Sequence, residues 1–136
     1  MTGSSVVVDT SIYIDFLRTY SNNSIYAKLL QNGASFIISS ITTLELYAGK
    51  SAQNPAIQKD ISQLLQSARL LPLSHARAVD AGLLRSRCGL DVPNAVIASL
   101  ALELKIPLAT LNTKHFQDVP GLQLFDHTLL PERAVE

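Results

Sequence analysis

The sequence places acidic and amide side chains just after, or within a turn or two of, short apolar runs. Asp9 follows VVV, Glu45 lies within TTLELYAG, Asn94 opens NAVIASLALEL, and Asn112, His115 and Asp118 follow PLAT. Brought to one place, such groups suit metal-assisted hydrolysis. Two carboxylates about 4 Å apart repel by roughly 4 kcal/mol at an effective dielectric of about 20. Either one takes up a proton or a cation neutralises the pair. Oxygen donors favour Mg²⁺ or Mn²⁺ over zinc. A metal so held activates water and stabilises charge on a phosphodiester. Taken singly, each residue also has a plainer role. Asp9, followed by Thr10 and Ser11, could equally cap a helix, and so could Asn94. Glu45, flanked by Leu44 and Leu46, could point to solvent, and Thr110, Asn112, His115 and Asp118 read as loop polar residues.

Whether these positions meet depends on the elements that carry them. The β-branched and apolar runs at 4–11, 34–40, 70–74, 106–112 and 121–125 read as strands. Between them, helical spacing runs over 11–20, 23–33, 40–50, 54–69, 75–88 and 93–105, the last apolar almost all round and so central. Strands alternating with helices predict an α/β fold, a three-layer α/β/α sandwich around a mostly parallel sheet. In such sheets ligands sit beyond the carboxyl ends of the strands. Asp9, Asn94 and Asn112 are then expected at one edge, with Glu45 reaching in from the side.

Composition bounds the rest. A chain of 136 residues, 47% hydrophobic and 16% charged, suits one filled core and argues against disorder. We expect a single domain over 1–136 with a loose tail at 131–136. Eleven Lys+Arg balance eleven Asp+Glu, so no long-range field holds nucleic acid and any such role rests on local charge. The lone Cys88 excludes an internal disulfide and favours a reducing compartment, and His75, His115 and His127 show no zinc spacing. No run of about 18 apolar residues suggests a membrane span, and no basic-then-apolar leader suggests secretion. A cytoplasmic protein is expected.

Four ordered blocks, VVVDTSIYIDFL, SSITTLELYAGK, VPNAVIASLAL and IPLATLNTKHFQDVPGLQL, resemble the PIN domain, specifically the small VapC-type toxin ribonucleases. The resemblance spans about residues 5–125. It implies a Mg²⁺- or Mn²⁺-dependent endoribonuclease acting on RNA and silenced by a VapB-like antitoxin protein. Position by position, it makes Asp9 a metal ligand and gives Glu45 a share in binding the metal or positioning its water. Asn94 falls where the family's third carboxylate is expected. Asn112 falls in the T-x-N/D element, and His115 stands where an Asp often precedes the Phe. Thr10, Ser11 and Thr110 resemble the small hydroxyl residues around the family's site. Asn at 94 removes a negative charge from the metal site, because an amide has nearly the shape of a carboxylate but is neutral and half donor. The expectation is therefore a nuclease toxin with activity reduced or lost. The alternative is a catalytically dead PIN module that binds RNA or a protein partner. Asp91 could stand in for the missing acid, although its place before the proline departs from the family pattern.

Two surface readings complete the expectations. Arg77, Arg85, Arg87, Lys50, Lys105 and Lys114 could form a local phosphate rim or simply be solvated. Tyr13, Phe16, Tyr20, Ile25 and Leu29 on the first two helices could serve a homodimer face and an antitoxin groove, or pack the core. An unrelated flavodoxin-like domain is disfavoured, because no glycine-rich loop follows the first strand.

Overall fold

The computed structural model describes residues 4–130; the expected tail at 131–136 lies outside the described residues. Four parallel strands, β1 (Ser5–Val8), β2 (Ser35–Ser39), β3 (Arg69–Leu71) and β4 (Leu108–Ala109), pair in the order β3-β2-β1-β4. Val6 aligns with Phe36, Val8 with Ala109 and Ile38 with Leu70. Successive side chains on a strand point to opposite faces, and the two cores divide accordingly. Val6, Val8, Phe36 and Ile38 enter one cluster with Ile12, Tyr13 and Leu29; Val7 and Ile37 enter the other with Ala98, Ala101 and Phe116. Helices cover both faces, as the alternating pattern predicted, and the architecture is the α/β/α sandwich.

The helices fall where capping and periodicity place them. They are α1 (Thr10–Thr19), α2 (Ile25–Gln31), α3 (Ser40–Ala48), α4 (Pro55–Gln66), α5 (His75–Cys88), α6 (Val92–Leu104) and the short α7 (Thr113–Phe116). Ser24, Ser39, Asn54, Ser74 and Asp91 each cap a helix start through a side-chain oxygen. Two expectations fail. The run 121–125 is not a strand and contributes only an isolated bridge between Leu124 and Leu108. Its Gly121 at φ 79 and the preceding Pro120 keep the backbone from extending. The segment after β4, expected as loop, winds into α7 and buries Phe116 against the second core.

The connection from α5 to α6 is made at Gly89, the left-handed cap of α5 at φ 71, whose N–H donates to the Arg85 carbonyl. A Cβ built there meets nothing within 4 Å, so the requirement for glycine is conformational. Gly89→Ala is expected to lower stability by about 1 kcal/mol in urea denaturation, with the native fold retained.

Candidate active site

Asp9 stands at the end of β1 in the N-cap position of α1, yet its side chain makes no cap hydrogen bond. Instead the hydroxyls of Ser11 and Thr110 both donate to its Oδ2 at 2.7 Å. The carboxylate is 4% exposed and Thr110 is 1% exposed. Parallel pairing of β1 with β4 creates this contact, because Val8 and Ala109 are in register and the next residue of each strand projects past the sheet edge. The Asp9 N–H donates to the Ala109 carbonyl at 2.9 Å and continues the ladder. The capping reading of Asp9 is thereby excluded. Among the described residues, both side-chain hydrogen bonds fall on Oδ2, which fixes the carboxylate plane and leaves Oδ1 available.

Glu45 lies on α3 and is half-buried. The Thr10 hydroxyl is 2.7 Å from Glu45 Oε1 and 3.0 Å from Thr42 Oγ1. Burial pushes the Glu45 carboxyl up from its ordinary value, the Thr10 hydroxyl opposes the shift, and the charges of Asp9 and Asp91 add to it. Glu45 on α3 therefore lies within electrostatic reach of carboxylates at the starts of α1 and α6. Leu44 is exposed and only Leu46 is buried, which puts Glu45 on the flank of α3 rather than its outer face.

Asn94 is not a cap either. Asp91 caps α6, with its Oδ1 accepting the backbone N–H of Asn94 at 2.9 Å. The half-buried Asn94 amide lines a cavity of about 250 Å³ with Asp91, His115, Asp118 and Cys88. Neither Asp9 nor Glu45 lines that cavity. Asn112 is exposed, and the structure uses its backbone, whose N–H donates to Thr110 Oγ1 at 3.0 Å. The expected residues thus fall into two adjoining groups. Asp9, Thr10, Ser11, Glu45, Thr110 and the Asn112 backbone form a hydroxyl-carboxylate network, while Asn94 and His115 line the cavity. Asp118 and Cys88 were not singled out for that cavity, nor Thr42 for the network. Thr42 had a signal, since a polar residue three before Glu45 shares its helix face.

Thr110→Val tests the network. The isostere removes a donor to a buried carboxylate and an acceptor for the Asn112 N–H. It is expected to cost about 1–3 kcal/mol in urea denaturation.

Of the basic residues considered for a phosphate rim, α5 and α6 separate the candidates. The α5 C-terminus leads through Gly89 into the Asn94 cavity, so Arg85 and Arg87 lie toward the site end. Arg77 sits at the other end of α5, its guanidinium donating to both Glu103 oxygens at 3.1 Å. Lys105 caps the far end of α6, eleven residues and about 16 Å from Asn94. Neither belongs to a rim at this site.

In the Asp9–Glu45 network the donors are all oxygens, the kind Mg²⁺ or Mn²⁺ prefers, and Asp9 is held with one oxygen available. Among the described residues, however, no three His, Cys, Asp or Glu side chains are grouped to hold a metal. The Asp9–Glu45 network offers two carboxylates, and the Asn94 amide lies in the neighbouring cavity. The set fits such an ion in kind but, with Asn at 94, is one charge poorer.

The PIN domain family model matches residues 6–122. The chain belongs to the PIN domain family. Among solved structures, this PIN domain is similar to a chain of VapBC2 from Rickettsia felis bound to a promoter DNA fragment. The TM-score is 0.75 at 23% identity, over 89% of this chain and 97% of that one. It is similar also to a toxin-antitoxin complex from Klebsiella pneumoniae, with TM-score 0.69 and 26% identity over 86% and 94%. A third likeness is VapBC-1 from nontypeable Haemophilus influenzae, with TM-score 0.73 and 24% identity over 91% and 98%. Comparison with curated protein sequences gave no match. No helix among the described residues is long and apolar enough to cross a membrane.

Proposed function

We propose that this PIN domain is the toxin partner of a VapBC-type pair: a Mg²⁺- or Mn²⁺-dependent endoribonuclease, cytoplasmic and neutralised by an antitoxin protein. The observation that carries the reading is Asp9, a buried carboxylate at the carboxyl end of a central strand, released from capping duty and held by two hydroxyls. A purely structural Asp at that position would satisfy the helix N–H groups behind it.

In this reading Asp9 and Glu45 hold the ion, with the Asn94 amide oxygen as a third and weaker contact. A bound ion supplies positive charge against the phosphate and lowers the pKa of water. The protein's own residues do the positioning. Ser11 and Thr110 occupy Oδ2 of Asp9 and leave Oδ1 for a ligand, and Thr10 occupies Oε1 of Glu45. Burial of these groups keeps the local dielectric low, so each charge contact is stronger than in water. Arg85, Arg87 and Lys114 are the basic residues best placed to meet RNA phosphates.

The alternative is a non-catalytic module that binds RNA or a protein. The observation that favours it is Asn94, which leaves the site without a third acid. Incubation of the chain with structured RNA in Mg²⁺, in Mn²⁺ and in EDTA tests the proposal. Slow cleavage that EDTA abolishes is the expected result. Its absence both here and after a carboxylate is restored at 94 would leave the binding module.

A further inference from the structure

The early helices do not offer the partner face considered from the sequence. Tyr13 and Leu29 are fully buried. Phe16 meets Tyr26 at a centroid distance of 4.7 Å and, with Ile25, packs against the same core. The polar start of α1 is engaged differently. Thr10 turns toward α3, where it meets Thr42, and both residues are buried. Thr42 stands one helical turn before Glu45, so the two share a face of α3. A buried hydroxyl costs stability unless it is hydrogen-bonded. Among the described residues, the one partner of Thr42 Oγ1 is Thr10 Oγ1, at 3.0 Å and 32 residues away. A threonine on a helix often returns its hydroxyl hydrogen to a carbonyl three or four residues back. Thr42 makes no such bond among the described residues and reaches across to α1 instead.

The number of hydrogens fixes the direction of this chain. Thr10 has one hydroxyl hydrogen and two oxygens in reach, Glu45 Oε1 at 2.7 Å and Thr42 Oγ1 at 3.0 Å. A bond to an ionised carboxylate is shorter and roughly twice as strong as one between neutral groups. The Thr10 hydrogen therefore goes to Glu45. Thr42 then donates to a lone pair of Thr10, since a hydroxyl both donates and accepts. The order is Thr42 to Thr10 to Glu45, and each bond in such a chain polarises and strengthens the next. Thr10 is held between two side chains of α3, although a threonine in a helix ordinarily divides between two rotamers. The chain occupies Oε1 of Glu45, and among the described residues Oε2 has no hydrogen bond.

We propose that Thr42 is a positioning residue for the Glu45 carboxylate, acting through the Thr10 hydroxyl and touching neither ion nor RNA. It keeps Oε1 satisfied from the interior, so that Oε2 is the oxygen presented to an ion. The consequence for ion binding rests on the nuclease reading; the order of the hydrogen-bond chain does not. Mn²⁺ titration of the full chain, followed by electron paramagnetic resonance, tests the first, and NMR of the buried hydroxyl protons without metal tests the second. Thr42→Val removes the donor at nearly constant shape and should weaken Mn²⁺ binding about tenfold, the lower end of what groups that orient metal ligands contribute. Thr42→Ser keeps the hydroxyl and should bind as tightly as the wild type. Thr43→Val, at the next threonine, whose buried hydroxyl has no partner, should change nothing. In a Thr10→Val background, Thr42→Val should have no further effect, because the group it acts through is gone. Full affinity in Thr42→Val overturns the proposal, as does a loss of equal size with and without the Thr10 hydroxyl, which marks Thr42 as packing alone. A wild type that binds no Mn²⁺ overturns the ion-holding reading, and the hydroxyl protons then decide the chain by themselves. The Thr10 hydroxyl resonance should move upfield in Thr42→Val and keep its place in Thr42→Ser; a resonance indifferent to both overturns the positioning role.

Discussion

Asn94→Asp is expected to raise metal-dependent RNA cleavage about a hundredfold over the wild-type chain. Groups that only orient metal ligands typically change affinity or activity by about 10–100-fold, and a restored ligand carries at least that effect. The backbone need not move to admit the change, because the Asn94 N–H is already satisfied by Asp91 and the half-buried side chain lines an open cavity. Without metal, the new carboxylate joins Asp9, Glu45 and Asp91 in mutual repulsion, which the N-terminus of α6 offsets only in part. The variant should therefore melt below wild type in EDTA and above it in Mn²⁺. Stabilisation by a ligand at about 100 times its dissociation constant amounts to about 2.7 kcal/mol. A variant whose melting temperature ignores Mn²⁺ would show that residue 94 is not at a metal site, whatever the RNA assay gave. If both forms cleave equally, Asp91 is the first residue to test.

Glu45→Gln is the second large effect, with opposite signs in activity and stability. On the proposed role of Glu45 in holding the ion, its loss should lower cleavage by about a hundredfold or more, measured most clearly in the Asn94→Asp background. Stability should instead increase at neutral pH. The Glu45 carboxyl is raised by burial, with Asp9 and Asp91 adding to the shift. The folded state therefore binds its proton more tightly than the unfolded state. The stability this proton contributes is complete below the unfolded value near 4.5 and is lost as pH rises through the folded value. At pH 7 the wild type bears an ionised, partly desolvated carboxylate that glutamine does not. Gln also retains an acceptor for the Thr10 hydroxyl. Thermal denaturation at pH 7 and at pH 4 should show Glu45→Gln melting above wild type at the higher pH, with the gap closing at the lower. A gap of the same size at both values would mean that ionisation of Glu45 does not govern it. Sites that hold function at the expense of stability behave in this way.

These two variants bracket the site from opposite directions. Together they separate a weakened nuclease from a binding module: restored charge at 94 matters only to an ion-holding site, and removal of charge at 45 is costly only there.

The sequence by itself determined the fold class and the identity of the central elements. The run VVV before Asp9, the apolar helix after Asn94 and the serine or asparagine caps are local signals, set by periodicity and backbone chemistry that neighbouring residues carry themselves. α5 falls at 75–88 as predicted, because Ser74 starts it and Gly89 stops it without help from elsewhere. Three things were decided only by tertiary structure. Whether the Asp9 side chain caps α1 or turns to the hydroxyls at the strand ends depended on Thr110, 101 residues away, which only the β1–β4 register brings within 2.7 Å. Which basic residues face the site depended on how α5 and α6 pack, which sends Arg77 and Lys105 away from it. Whether Tyr13 and Leu29 face a partner or the core depended on the packing of α1 and α2 onto the sheet. A sequence pattern reports what a residue is and what lies one turn away. Which of two plausible partners it takes is settled by contacts between segments far apart in the chain, through burial and hydrogen bonding that exist only once the sheet has formed.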